Sequence, residues 1–159
     1  MTAPTRSRAI VIGGSVGGLF IGNMLHRIGW HVDIYERVAE GLASRGVGIA
    51  RHPELDTILA AAGIDESGVV GVDVDGRSAI GPDGSVVAYH HYPQTLGPWG
   101  RVFNPLLDAF PSAHYHTDRA IQSLHQESGC VTARFDDGEC ERADLLIGAD
   151  GFRSTVRRH

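Results

Sequence analysis

Apolar positions along the chain change rhythm several times, and each change predicts an element. Ala9 to Ile12 is an unbroken apolar run with two isoleucines and a valine, the pattern of a strand buried on both faces of a parallel sheet. Gly13-Gly14-Ser15-Val16-Gly17-Gly18 breaks it. Ile21, Leu25 and Ile28 then recur at helical spacing, so a helix is predicted with its buried stripe on those residues and Gly29 closing it. His31 to Tyr35 is strand-like again, and Glu36 sits at its end. The first unit is therefore strand, glycine turn, helix, strand, acid.

The pattern after residue 50 is mixed. Pro53 to Ala62 is predicted as a helix, with Pro at its first position, Leu55, Ile58 and Leu59 as its inner stripe, and Gly63 beyond its end. From Val69 to Tyr92 the period falls to two. Val72 and Val74, a Pro82-Asp83-Gly84 turn, then Val86 and Ala88 predict an antiparallel hairpin, a sheet separate from the parallel one. Trp99 to Phe110 is predicted as a short helix with Pro105 in about its first turn, and Pro111 ends it. Thr117–Leu124, Cys130–Phe135 and Glu139–Glu141 read as a small antiparallel meander, turning at Asp136-Asp137-Gly138. Asp144 to Ile147 returns to the parallel sheet and runs into Gly148-Ala149-Asp150-Gly151, with Arg153, Arg157 and Arg158 in a following helix. The fold class is α/β: a Rossmann-like βαβ unit carrying inserted antiparallel sheet elements. Residues 1–68 form its first part, residues 69–98 the hairpin, and residues 99–159 the return to the nucleotide-binding unit.

Composition adds limits. The 159 residues suffice for one domain with a core, and 42% hydrophobic with 21% charged residues is ordinary for a soluble globular protein. The net charge of −5, with no basic block, argues against nucleic acid as a partner. No apolar run has the length of a membrane span, and the N-terminus runs into the first strand without a signal peptide, so a cytoplasmic protein is expected. Cys130 and Cys140 flank the Asp136–Gly138 turn, but turn-centred pairing sets Cys140 opposite Arg134. Both are expected as buried thiols rather than a disulfide. His114 and His116 would share a strand face. With no third ligand near them in sequence, no metal site is expected.

The glycine turn carries the chemistry. Against the fingerprint G-x-G-x-x-G the three places are Gly13, Ser15 and Gly18. Gly13 makes the tight turn out of the strand. The middle place must be small so that backbone can approach a pyrophosphate, and Ser15 departs from glycine there by a Cβ and a hydroxyl that can itself donate to phosphate. Gly18, with Gly22 one turn on, lets the helix lie close on the sheet. The helix N-terminus offers free N–H groups to the phosphates. Glu36, about 20 residues beyond the motif as the fingerprint requires, can accept hydrogen bonds from ribose hydroxyls and would repel a 2′-phosphate. The adenosine expected there belongs to FAD or NAD and not to NADP. Arg45-Gly46-Val47-Gly48-Ile49 allows close approach to a flat ligand with Arg45 able to pair with phosphate, and reads equally as a glycine turn with a solvated arginine. Asp150-Gly151 lies at a strand end, where open α/β sheets bind ligands.

Three separated stretches, GGSVGG with Glu36-Arg37, RGVGI, and GADGFRSTVR, together resemble the N-terminal part of the FAD-dependent aromatic hydroxylases, the single-component flavoprotein monooxygenases with the p-hydroxybenzoate hydroxylase fold. The resemblance runs from Arg8 to Arg158. It implies FAD as cofactor, with Gly13, Ser15, Val16, Gly17 and Gly18 around its pyrophosphate and Glu36 and Arg37 at the adenosine ribose. Arg45 and Gly48 would approach the pyrophosphate and flavin ring, and Asp150 and Gly151 form the family's DG motif. It further implies NADH or NADPH as electron donor, O2, and a small aromatic or N-heteroaromatic, pyridine-diol-like substrate, and leaves a homodimer open. Many members carry a cofactor-touching arginine in the helix after the tryptophan; here Asn104 holds that place with Arg101 a turn earlier, and the assignment stays open. His52 is a candidate base, with a structural role the alternative. Family members are longer, so an incomplete fold with a partly uncovered apolar face is expected. The rival readings are an NAD-dependent dehydrogenase, which the hairpin argues against, and a flavin-binding remnant without turnover.

Overall fold

The structure is a computed structural model, and it describes residues 7–40, 42, 48–65 and 71–159. The predicted βαβ unit is present as β1 (Arg8–Ile12), α1 (Val16–Arg27) and β2 (His31–Tyr35). Then follow β3 (Ile49–Arg51), α2 (Pro53–Ala61), the hairpin β4 (Val72–Ile80) and β5 (Val86–Gly97), α3 (Gly100–Ala109) and β6 (Tyr115–His116). The chain continues through β7 (Ile121–Glu127), β8 (Cys130–Phe135) and β9 (Cys140–Ala143) and returns as β10 (Leu145–Gly148).

The parallel sheet has the order β10-β1-β2-β6, with Ile12 level with both Tyr35 and Gly148. Its two faces explain the unbroken apolar run in β1. Ala9, Val11, Val32 and Ile34 face a cluster that includes Leu19, Leu59, Leu106 and Phe110 of the helical layer. Ile10, Ile12 and Tyr35 face Val131, Ala133, Phe135 and Ala143 of the β7-β8-β9 meander. A strand covered on both faces has no reason to alternate. The hairpin forms its own antiparallel sheet in the order β3-β5-β4, turning at Pro82–Gly84 with Gly84 at φ +82°. Val72, Val86, Val87, Tyr89 and Tyr92 are exposed on it, with the adjacent Val86 and Val87 on opposite faces.

Several local expectations need correction. Ile28 is 72% exposed, because α1 stops at Arg27 and Ile28 is its C-cap; the inward face is Leu19, Gly22, Asn23 and Leu25. Gly29 does close the helix, at φ +95°, with its N–H on the His26 carbonyl and that of Trp30 on Leu25, a Schellman arrangement. Ile58 is exposed while Leu55 and Leu59 are buried. Pro105 lies inside α3, beyond its first turn, because the helix has already begun at Gly100, five residues earlier. Cys140 does pair with Arg134, but neither cysteine is buried: Cys130, at the start of the central strand β8, is half-buried beside Arg142, and Cys140, at the start of the edge strand β9, is exposed. After β10 there is no regular helix, only a 3-10 turn at Val156–Arg158, and Arg153 precedes it.

Asn23 ties two helices together. It is buried, and its side-chain amide donates to the Leu19 carbonyl in α1 and to the Leu106 carbonyl in α3, both at 2.9 Å. Replacing it leaves a buried carbonyl at the end of α3 without that donor. Asn23→Ala is expected to lower stability by about 1–3 kcal/mol, measured as a shift in urea midpoint at unchanged slope.

Candidate functional site

Strands β1, β2 and β10 end at one edge of the parallel sheet, and a cleft of about 310 Å³ opens there. Of the residues singled out in the sequence, Gly13, Ser15, Glu36, Arg37, Asp150 and Gly151 line it. Val16, Gly17 and Gly18 lie directly behind, in the first turn of α1. Gly48 is instead at the head of β3, where a Cβ would stand 3.5 Å from the Gly97 carbonyl, and it does not line the cleft. Arg45 lies outside the described residues.

The turn is built by close backbone approach. Gly13 has φ +105°, its N–H donates to the Tyr35 carbonyl at 2.8 Å, and a Cβ on it would run into the Ala149 backbone at the end of β10. A Cβ on Gly18 would strike the Gly13 carbonyl. Ser15 is the N-cap of α1 in extended conformation, yet its hydroxyl makes no capping bond, so it remains available to a ligand.

Glu36 is 6% exposed, and each carboxylate oxygen accepts one backbone donor: Gly14 N–H on Oε2 at 2.8 Å and Val38 N–H on Oε1 at 2.9 Å. An ionised carboxylate has about four acceptor positions, so one remains on each oxygen. That leaves two adjacent acceptors, the complement of a vicinal diol. The Gly14 peptide is held from its other side by Tyr115, whose hydroxyl donates to the Gly14 carbonyl at 2.7 Å. Burial and the nearby Glu36 charge push the Tyr115 phenol up to about 12, so it remains a donor at neutral pH.

Asp150 is turned toward its own loop. Its Oδ1 accepts from the Ser154 hydroxyl at 2.6 Å and its Oδ2 from the N–H groups of Thr155 and Val156 at 2.6 and 3.3 Å. Burial pushes this carboxyl up, and those hydrogen bonds outweigh it, holding Asp150 below the usual carboxylate range. The carboxylate thereby fixes the Gly151 loop against the cleft.

Arg119 is the lining residue that sequence reasoning missed. Its N–H donates to the Glu36 carbonyl at 3.0 Å, and its guanidinium lies 4.7 Å over the Phe135 ring and 5.5 Å over Tyr35. Nε stands 2.7 Å from Asp137 Oδ2 but off the N–H axis, an ion pair rather than a hydrogen bond, and the buried Nη2 has no hydrogen-bond partner among the described residues. No spacing rule links it to Glu36. The left-handed turn at Asp118 (φ 58°), which brings it back over β2, has only a Thr-Asp-Arg stretch as its signature.

The remaining candidates fall elsewhere. Arg101 and Asn104 are exposed on α3 and do not line the cleft. His52 caps α2 with Nδ1 3.0 Å from Glu54 Oε2, beside a separate depression shared with Asp73 and Thr95.

A parallel sheet with a glycine turn, a helix N-terminus and a buried acid meeting at its carboxyl edge defines a dinucleotide-binding protein of Rossmann type. The chain belongs to the FAD binding domain family, whose model matches residues 6–159. It is 34% identical over 160 residues to 2,6-dihydroxypyridine 3-monooxygenase of Paenarthrobacter nicotinovorans, covering 98% of this chain and 39% of that one. It is 28% identical over 166 residues to 6-hydroxynicotinate 3-monooxygenase of Bordetella bronchiseptica, covering 97% and 43%. The solved structure of 2,6-dihydroxypyridine-3-hydroxylase from Arthrobacter nicotinovorans superposes with a TM-score of 0.82 at 32% identity, over 98% of this chain and 40% of that one. Klebsiella pneumoniae HpxO, solved with FAD and uric acid, shares the fold at 23% identity and TM-score 0.76, over 95% and 41%. The chain thus spans about two fifths of the length of these relatives. Among the described residues no helix is long and apolar enough to cross a membrane.

Proposed function

We propose that this chain holds the ADP half of FAD within a flavin-dependent hydroxylase of aromatic or N-heteroaromatic rings that draws electrons from NADH or NADPH. The observation that carries the reading is Glu36: a buried carboxylate just after β2 on a residue that lines the cleft, with one acceptor position left on each oxygen. These two acceptors would take the ribose diol. Gly13 and Ser15 would admit the pyrophosphate to the backbone, with the N-terminal N–H groups of α1 and the Ser15 hydroxyl as donors. Nη2 of Arg119, without a hydrogen-bond partner among the described residues, would supply the cation beside Glu36. Asp150, whose negative charge would repel a phosphate, would hold Gly151 in position through Ser154 and Thr155. Bound FAD supplies the electron transfer and oxygen activation itself.

The pyridine-diol-like substrate is proposed from the name of 2,6-dihydroxypyridine 3-monooxygenase, and the wider hydroxypyridine class from both monooxygenase relatives above. The test is NADH or NADPH oxidation by the FAD-loaded protein with hydroxylated pyridines and benzoates. Stimulation by a hydroxylated pyridine supports the reading. FAD binding without stimulation by any aromatic would point to a flavin-binding module.

Ser15 gives a separate check on cofactor placement. Ser15→Gly completes the fingerprint and should bind FAD within a few-fold of the parent, whereas Ser15→Leu should abolish binding by bulk where the pyrophosphate approaches. Normal flavin titration of the leucine variant would place the phosphates elsewhere.

A further inference from the structure

A second group of chemically active side chains lies on the meander face of the parallel sheet, away from the cleft. Asp33, in the middle of β2, is 6% exposed at its side chain and faces the meander rather than the helices. Its Oδ1 has His114 Nδ1 at 3.0 Å and His116 Nε2 at 3.1 Å; its Oδ2 has His31 Nε2 at 3.3 Å and Arg8 Nη2 at 3.1 Å. The ligand atoms of His31, Asp33 and His114 all lie within 4.8 Å of one another. Two segments distant in sequence, the head of β2 and the 3-10 turn at Ser112–His114 running into β6, converge on one carboxylate.

We propose that His31, Asp33 and His114 form a binding site for a divalent transition metal of the zinc type. Zinc takes imidazole nitrogen and carboxylate oxygen at about 2.0–2.2 Å in tetrahedral geometry, which sets neighbouring ligand atoms about 3.3 Å apart. The Asp33 carboxylate already stands 3.3 Å from His31 Nε2 and 3.0 Å from His114 Nδ1, so metal entry needs these two imidazoles to turn lone pairs inward and close their remaining separation, which is under 4.8 Å. Arg8, on Oδ2 and also 2.8 Å from Glu141 Oε2, orients the carboxylate from behind, as groups hydrogen-bonded to metal-binding carboxylates commonly do. The His31 and His114 imidazoles are one-third to one-half exposed, which gives an ion a path to a buried acid.

The role that follows is structural. Asp33 lies three residues before Glu36, about 10 Å along the strand, too far for contact with a ligand at the cleft edge. The metal would instead pin β6 and its preceding turn to β2. That segment carries His116, whose ring stacks on Tyr35 at 4.7 Å and whose carbonyl accepts the Glu36 N–H at 2.8 Å, so a fixed β6 also fixes Glu36.

The experiment is a calorimetric titration of the chelator-treated full chain with zinc chloride near neutral pH, repeated with cobalt chloride while the visible spectrum is recorded. One equivalent should bind at micromolar dissociation constant or tighter, with cobalt giving the d–d bands of a tetrahedral nitrogen–oxygen site. His31→Ala and His114→Ala should each weaken binding at least tenfold, with His31→Gln and His114→Gln as replacements if either alanine variant fails to fold. His90→Ala and His91→Ala, on the exposed hairpin, should change nothing. Absence of stoichiometric binding, or binding unchanged in the His31 and His114 variants, overturns the proposal.

Discussion

Glu36→Ala is expected to weaken FAD binding by about 1.5–3 kcal/mol, the range for hydrogen bonds to a charged group, or roughly 10- to 150-fold in dissociation constant. The substitution removes both remaining acceptor positions, and it also leaves the Gly14 and Val38 N–H groups without their carboxylate. Glu36→Gln is not a mild control. Both carboxylate oxygens receive a backbone donor, so one end of the amide would set its own NH2 against an N–H group. Both variants should therefore lose affinity, alanine by losing the acceptors and glutamine by turning one of them away. Flavin fluorescence titration of each variant, after circular dichroism shows it folded, measures the effect. Unchanged affinity would remove Glu36 from the ribose site.

Gly13→Ala should have the other large effect, and on the fold itself. Its backbone sits at φ +105°, where an L-residue is strained by about 1–2 kcal/mol, and the new Cβ would meet the Ala149 carbonyl and stand 2.9 Å from the Asp150 N–H. Those are backbone atoms of an adjacent strand end and cannot swing aside, so overpacking of about 1–3 kcal/mol adds to the strain. The variant should unfold at clearly lower denaturant and bind no FAD. Gly17→Ala separates the two effects. No atom lies within 4 Å of its added Cβ, so the fold should be unharmed or slightly stabilised, and any loss of FAD affinity there reports the cofactor alone.

The βαβ unit was legible because each of its signals has one physical cause. An apolar strand covered on both faces, a glycine that only a left-handed turn requires, and an acid at the next strand end are local facts. The hairpin and the meander were equally plain, since a period of two between Asp-Gly turns has few other meanings. What the sequence concealed depends on contacts between distant segments. The inward face of α1 was read only in part: Leu25 is buried and Ile21 packs on the core, but Ile28 is exposed, and the face also passes through Gly22, where Ile34 comes within 2.6 Å of an added Cβ, and the buried Asn23. Arg119 enters the cleft only through the pairing of β6 beside β2. The contacts of His114 and His116 with Asp33 were likewise hidden, because Asp33 stands more than eighty residues earlier in the chain.

The central claim is that the cleft at the ends of β1, β2 and β10 takes the ADP half of FAD. Competition titration tests it most directly: the purified chain is titrated with FAD by fluorescence quenching, then challenged with ADP, FMN and NAD. The account predicts saturable binding of one FAD, displacement by ADP, and no displacement by FMN, with the Glu36→Ala variant losing FAD and ADP affinity together. Binding of FMN uncompeted by ADP, or of NAD in preference to FAD, would contradict it.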